Sequence, residues 1–178
     1  MSIRNIGRLR KYLDQQTCEK LVHAFITSKL DSCNSLLTGL PDSEISKLQS
    51  VQNSAARLVM RTKKNDHITP VLRSLHWLPI RARIDFKVLV LVFKALHNQA
   101  PDYIAELISK YNPIRSLRSS DQLLLNVPPV KTKTYGDRCF SVYSSRLWNT
   151  LPLRVKQSET LGIFKSQLKT YLFGNIYT

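Results

Sequence analysis

The sequence predicts a mainly α-helical protein: a helical bundle followed by a smaller C-terminal part that contains a short β-hairpin. Apolar residues recur at intervals of three and four through most of the first 111 residues, which is the spacing of one helix face. A short loop joins two long amphipathic stretches, which favours an antiparallel helix pair. The composition then changes at residues 112–133, where Ser, Arg and Pro surround one short apolar run.

The first 61 residues predict three helices. Ile3–Leu13 has apolar residues at helical spacing, and Asp14 is a suitable N-cap for a second helix over Gln15–Leu37. A Gly-Leu-Pro turn at 39–41 ends that helix and starts a third over Pro41–Arg61, because glycine suits a helix C-terminus and proline a helix start. The predicted buried face of the second helix comprises Cys18, Leu21, Val22, Phe25, Ile26, Leu30, Cys33 and Leu37. That of the third comprises Ile45, Leu48, Val51, Ala55, Leu58 and Val59.

A basic connector and further helices follow. A short helix is predicted to begin near Pro70 and to break at the Trp-Leu-Pro sequence of 77–79. The segment Ile80–Asn98 is apolar on every side at its centre, so periodicity alone leaves a strand and a buried helix open. Its length and its charged start favour a central helix, and another helix is expected from Asp102 to Tyr111.

The C-terminal part is predicted to hold a hairpin and two helices. Gln122–Val127 is expected to pair with Val130–Tyr135 across the two prolines, and helices are expected over Arg138–Trp148 and Thr160–Phe173. The change in composition places a domain boundary near residue 112. The predicted organisation is therefore a helical bundle over residues 1–111 and a basic C-terminal subdomain over residues 112–178.

The chain is strongly basic, with 27 Lys and Arg against 12 Asp and Glu and a net charge of +15. Such a surplus attracts polyanions, with nucleic acid the first expectation and an anionic membrane surface the second. Any single basic set is equally compatible with a solvated face, and Arg57 and Arg61 also with compensation of a helix dipole. The candidate nucleic-acid-binding residues are Arg4, Arg8, Lys11, Arg57, Arg61, Lys63, Lys64, Arg115, Arg118, Lys131 and Lys133.

The remaining composition points to an intracellular protein of the nucleus or cytoplasm. The three cysteines form no C-x-x-C pair, so free and mostly buried thiols are expected rather than disulfides or a zinc site. The longest apolar run is the six residues Val88–Phe93, too short to span a membrane. The basic N-terminus is not a secretory signal; a mitochondrial presequence is a less favoured alternative to an ordinary helix end.

No residue pattern indicates catalysis or a bound metal. The chain has no glycine-rich phosphate loop and no paired carboxylates at metal-binding spacing, so we expect no enzyme activity and no cofactor. Trp77 and Trp148 could stack on bases, but anchoring the core is favoured because tryptophan is highly buried on average. His67 and His76 lie near no Cys/His cluster, which favours structural roles.

Seven sequence blocks occur in an order that resembles the region after the palm in reverse transcriptases of non-LTR (LINE-like, jockey-type) retrotransposons. The central blocks are the GLP turn at 39–41, LQSVQNSAARLV at Leu48–Val59, DHITPVL at Asp66–Leu72 and LHWLPIRARIDFK at Leu75–Lys87. Flanking words lie at Tyr12–Leu37, Tyr135–Pro152 and Phe164–Phe173, so the resemblance covers nearly the whole chain. The family's aromatic-x-Asp-Asp metal motif is absent, since this sequence has no Asp-Asp pair.

The resemblance implies a thumb-like helical bundle, the element that grips the template–primer duplex in RNA-directed DNA polymerases. It implies a non-catalytic C-terminal fragment that binds RNA, DNA or their hybrid nonspecifically and packs against the missing palm of the parent polymerase, where Mg²⁺ would act. Because Met1 falls inside the region of resemblance, we expect a truncated reading frame from a decayed transposable element. We expect no membrane partner and no small-molecule substrate. The alternative is a protein-interaction or structural remnant without a nucleic-acid role; an enzyme of another type is disfavoured.

Overall fold

Helices dominate the computed structural model of the chain, which describes residues 3–112, 122–132 and 135–177. Within these ranges the α-helices are α1 (Ile3–Leu9), α2 (Gln15–Val22), α3 (Ser28–Asp31), α4 (Asp42–Met60), α5 (Ile68–Ser74), α6 (Ile80–Leu96), α7 (Asp102–Ala105), α8 (Phe140–Asn149), α9 (Leu153–Lys156) and α10 (Leu161–Tyr177). Arg10–Tyr12 and Asn34–Leu37 form 3₁₀ turns, and His23–Thr27 forms a π-helical turn. The predicted mainly α class is therefore confirmed.

The chain divides into two compact units. Unit 1 comprises residues 1–36, 40–84 and 173–178, and unit 2 comprises residues 37–39 and 85–172. Helices α6 and α10 each contribute residues to both units. The boundary predicted near residue 112 falls inside unit 2, and that division of the sequence stays a prediction.

The core of unit 1 is built by α1, α2, α4 and α5. Its fully buried side chains include Ile6, Val22 and Val59. Trp77 packs in the same core, with only 5% of the tryptophan surface exposed. Helix α2 begins as predicted: the Asp14 carboxylate accepts a hydrogen bond from Thr17 N at 3.0 Å, which lowers the pKa of Asp14. The core placement predicted for Trp77 is confirmed.

The π-helical turn alters the predicted buried face of the second helix. Cys18, Val22 and Ile26 are buried as expected, but Phe25 and Cys33 are exposed. A π turn inserts an extra residue into the helix, so the 3.6-residue periodicity used for the prediction is interrupted there. The helical stretch also ends at Asp31, and Leu37 belongs to a separate 3₁₀ turn. Cys139 is exposed as well, so the expectation of mostly buried thiols is wrong.

Unit 2 forms its core around the apolar centre of α6. Leu89, Val92 and Phe93 are fully buried, and the Phe93 ring stacks on Phe164 of α10 with centroids 4.3 Å apart. Because helices and loops cover every side of this stretch, its lack of a polar face reflects burial rather than a strand. Trp148 is 1% exposed and lies in the same core, as predicted.

The predicted hairpin is not seen in the described residues. Leu125 instead forms an isolated antiparallel bridge with Lys110, with Tyr111 N donating to Leu124 O and Asn126 N to Ser109 O, both at 2.9 Å. The side chain of Asn149 bonds both backbone groups of Leu125, at 2.8 and 2.9 Å. These bonds occupy the groups that a hairpin ladder would use, and the Leu125 side chain is buried in the core of unit 2.

The helix predicted over Asp102–Tyr111 ends at Ala105, and the chain is extended where Lys110 forms this bridge. Residues 133 and 134 of the predicted second hairpin strand lie outside the described part. No helix in the described ranges is long and apolar enough to cross a membrane.

Candidate nucleic-acid interface

Helix α1 presents two of the predicted basic residues on its exposed side. Arg4 and Arg8 are four residues apart and exposed, while Ile6 is fully buried. Residues four apart lie on one helix face, so the two guanidinium groups share a surface. Lys11 follows in the 3₁₀ turn, exposed, with its Nζ 4.7 Å from the ring centroid of Tyr12.

The C-terminal end of α4 presents the second predicted set. Arg61 adopts the left-handed conformation, with φ of 54°, and ends the helix. The loop after it is fixed by Asp66, whose Oδ2 accepts from Lys63 N at 2.8 Å. Lys63 and Lys64 are both exposed in this loop.

Arg10 joins these two sets. Its guanidinium is buried and donates to Leu58 O at 2.9 Å, Val59 O at 2.7 Å and Leu13 O at 2.7 Å. The carbonyls of Leu58 and Val59 lie in the last turn of α4, where they lack helical donors and where a cation is favourable. Residues 4–13 and 57–64 contain no acidic side chain, so unit 1 brings two acid-free basic segments into contact.

Two of the predicted binding residues also make structural bonds. Arg61 Nη2 donates to Arg10 O at 3.1 Å, and Arg57 Nη2 donates to Asp66 O at 3.1 Å. Both bonds tie the end of α4 to other parts of unit 1, and compensation of the helix dipole by these arginines stays a prediction. We therefore define the basic surface of unit 1 by the exposed cations of the two segments. They are Arg4, Arg8, Lys11, Arg61, Lys63 and Lys64.

Arg10 is the residue that the sequence interpretation missed. It lies four residues after Ile6 and three before Leu13, so it occupies the apolar face of the first helical stretch. A cation on a predicted buried face signals a structural arginine, because such a charge needs partners inside the protein.

The third predicted set surrounds the segment where the hairpin was expected. Lys131 is exposed in unit 2. Arg115, Arg118 and Lys133 lie outside the described residues. The structure thus brings together the first two sets and leaves the third without a described arrangement.

Unit 2 contains an open cleft of about 600 Å³ near the start of α8. Arg138 and Arg146 line it, and Arg146 Nη1 lies 2.8 Å from Asp137 Oδ1. Asp137 therefore pairs with an arginine. The N-cap of α8 is Cys139, which makes no side-chain capping bond. The stem of Arg138 packs so close to Gly39 that an added Cβ there would lie 2.5 Å from its Cγ.

A second cavity of unit 2, of about 220 Å³, is lined by the buried Lys156 together with Trp148 and Tyr111. Lys156 Nζ donates to Gln122 O at 3.2 Å and to Asn149 O at 3.5 Å. Burial lowers the pKa of Lys156 from its ordinary value of 10.5. The ammonium group thus joins Gln122 to the end of α8.

Among the described residues, no group of three or more His, Cys, Asp and Glu side chains is arranged to hold a metal ion. No family model, curated protein or solved structure matches the chain. The basic surface of unit 1 is therefore the candidate functional site.

Proposed function

We propose that this chain is the C-terminal, post-palm fragment of a non-LTR retrotransposon reverse transcriptase and that it binds RNA, DNA or their hybrid without sequence preference. The ordered sequence blocks that resemble this family support the proposal. So does the helical character of the described part, which is compatible with a thumb-like bundle. The proposed activity is binding alone, because the sequence lacks the Asp-Asp motif that the family uses to extend a primer.

One observation carries the binding proposal: unit 1 holds two acid-free basic segments together through the Arg10 guanidinium. Phosphate oxygens are bound by exposed lysines and arginines, and each neutralised phosphate releases counterions into solution. The logarithm of the association constant then falls linearly with the logarithm of the salt concentration, with a slope of about −0.9 per phosphate for a B-form duplex. A surface of this kind contacts backbone and not base edges, so it discriminates little between sequences.

The test is a salt titration of a fluorescein-labelled RNA–DNA hybrid by anisotropy. The double variant Lys63→Ala, Lys64→Ala is expected to reduce the magnitude of the salt slope by about 1 to 2, since each lysine neutralises one phosphate. The matched control is Lys29→Ala, Lys47→Ala, which removes the same charge elsewhere in unit 1. Lys47 already pairs with Glu44 at 2.8 Å, so this control should leave the slope nearly unchanged.

The proposal fails if the wild-type chain does not bind at physiological salt, or if heparin competes as well as the hybrid at equal charge. In either case the alternative of a protein-interaction or structural remnant takes its place. That alternative is favoured by large exposed apolar side chains such as Leu36, 80% of whose surface is open to solvent. Sedimentation velocity over a concentration series would then report self-association.

A further inference from the structure

We propose that Tyr12 is a stacking platform for an unpaired base, so that the basic surface of unit 1 engages single-stranded RNA or DNA at this point. The inference rests on the proposed nucleic-acid binding and adds to it one contact that only an unpaired strand can make. Tyr12 is 75% exposed, although burial of an aromatic ring stabilises a folded protein. It belongs to neither core, and within the described part no hydrogen bond or ring–ring contact involves its side chain.

Basic side chains from both acid-free segments surround Tyr12. Lys11 Nζ lies over its ring, 4.7 Å from the centroid. Arg61 Nη2 reaches the carbonyl oxygens of Arg10 and Leu13, at 3.1 and 3.4 Å, and these residues flank Tyr12 closely. Tyr12 therefore lies where the two acid-free segments of unit 1 meet. The nearest acid in the sequence, Asp14, is engaged as the N-cap of α2.

This arrangement matches the chemistry of single-strand recognition. Proteins that bind unpaired strands combine a cationic surface for the phosphates with aromatic side chains on which bases stack. Lys11 covers one face of the Tyr12 ring, and the large exposed fraction leaves room for a base on the other. In a duplex the base faces are already stacked on one another, so they are not available to a surface tyrosine.

Exposure alone would not select Tyr12, because Tyr103 is 69% exposed. Tyr103 lies in α7 between Asp102 and Ala105, with Glu106 directly after the helix. Acidic neighbours repel phosphates, so Tyr103 lacks the electrostatic half of the site. It therefore serves as a matched control of the same residue type and similar exposure.

The experiment measures binding of the full chain to three fluorescein-labelled probes: a 12-nucleotide oligouridylate, an abasic strand of the same length, and an RNA–DNA hybrid. Tyr12→Ala is expected to weaken oligouridylate binding about five- to tenfold, the lower part of the range for one stacked base. Tyr12→Phe should restore the affinity because it keeps the ring. Binding to the abasic strand and the hybrid should change less than about twofold, since neither offers an unstacked base.

The salt dependence separates stacking from charge. Tyr12→Ala should leave the salt slope unchanged, because tyrosine neutralises no phosphate. Tyr103→Ala should leave both affinity and slope unchanged, and circular dichroism should show the same helix content in every variant. The stacking proposal is overturned if Tyr12→Ala binds oligouridylate as tightly as the wild type. It is also overturned if the substitution lowers the affinity for the abasic strand as much as the affinity for oligouridylate. If the wild type binds no probe at all, the proposed function itself fails.

Discussion

Replacing Arg10 by methionine should destabilise unit 1 far more than the same replacement at Arg8, although the sequence presents two arginines two residues apart on one helical stretch. Arg10 is buried and its guanidinium donates to three backbone carbonyls of unit 1. Arg8 is exposed. Both substitutions remove one positive charge and leave an unbranched side chain, so their difference isolates the buried hydrogen bonds.

The magnitude follows from the burial of each bond. The bond to Val59 O is buried, so methionine leaves that carbonyl without a partner, and a hydrogen bond to a charged group contributes about 1.5–3 kcal/mol. The bonds to Leu58 and Leu13 are only partly buried, so water can replace part of each. Release of the arginine side chain recovers some rotamer entropy. We therefore expect Arg10→Met to cost about 2–4 kcal/mol and Arg8→Met less than about 0.5 kcal/mol.

Urea unfolding followed by tryptophan fluorescence measures both values. A Trp148→Phe background leaves Trp77 as the only indole, and Trp77 is buried in the core of unit 1. The midpoint for Arg10→Met should fall well below that of the background, and the midpoint for Arg8→Met should stay close to it. Equal midpoints for the two variants would refute the structural role of Arg10, which is one of the contacts that join the two basic segments.

Three further substitutions test other parts of the fold. Gln52→Leu should lower the unfolding free energy by about 1–3 kcal/mol in urea denaturation, because buried Gln52 donates to Leu78 O at 2.9 Å. Gly39→Ala should cost about 1–2 kcal/mol or more in thermal unfolding, since Gly39 has φ of 70° and its new methyl group would press on Arg138. Burial lowers the pKa of Lys156 from 10.5, so between the folded and unfolded pKa values the unfolded chain binds more protons. Wild-type stability should therefore rise relative to Lys156→Met as pH increases toward 10.5.

Each of these three has a matched control. Gln16→Leu changes an exposed glutamine of α2 and should alter stability little. Gly174→Ala adds a methyl group that meets no atom within 4 Å inside α10, so it should stabilise slightly. Lys165→Met removes an exposed lysine and should show no comparable pH trend. A wild-type stability that runs parallel to Lys156→Met across the alkaline range would contradict the buried ammonium.

The sequence by itself determined the longer helices α4, α6, α8 and α10, because each is encoded locally. Apolar spacing located α4 and α10 to within a few residues of their observed ends, and the glycine and proline of the 39–41 turn marked where one helical stretch gives way to the next. Asp14 was recognisable as an N-cap because the bond it makes spans only three residues. Such signals depend on near neighbours, which the sequence displays directly.

Tertiary structure alone decided which polar side chains are buried and which chain segments pair. Leu125 pairs with Lys110, 15 positions earlier, because Asn149 satisfies its backbone groups and the core of unit 2 takes its side chain. Gln52 is buried where the periodicity favoured Val51, since only the folded chain places the Leu78 carbonyl within its reach. The different roles of Arg8 and Arg10 have the same cause. A cation becomes structural when distant carbonyls converge on it, and that convergence is a property of the packed chain.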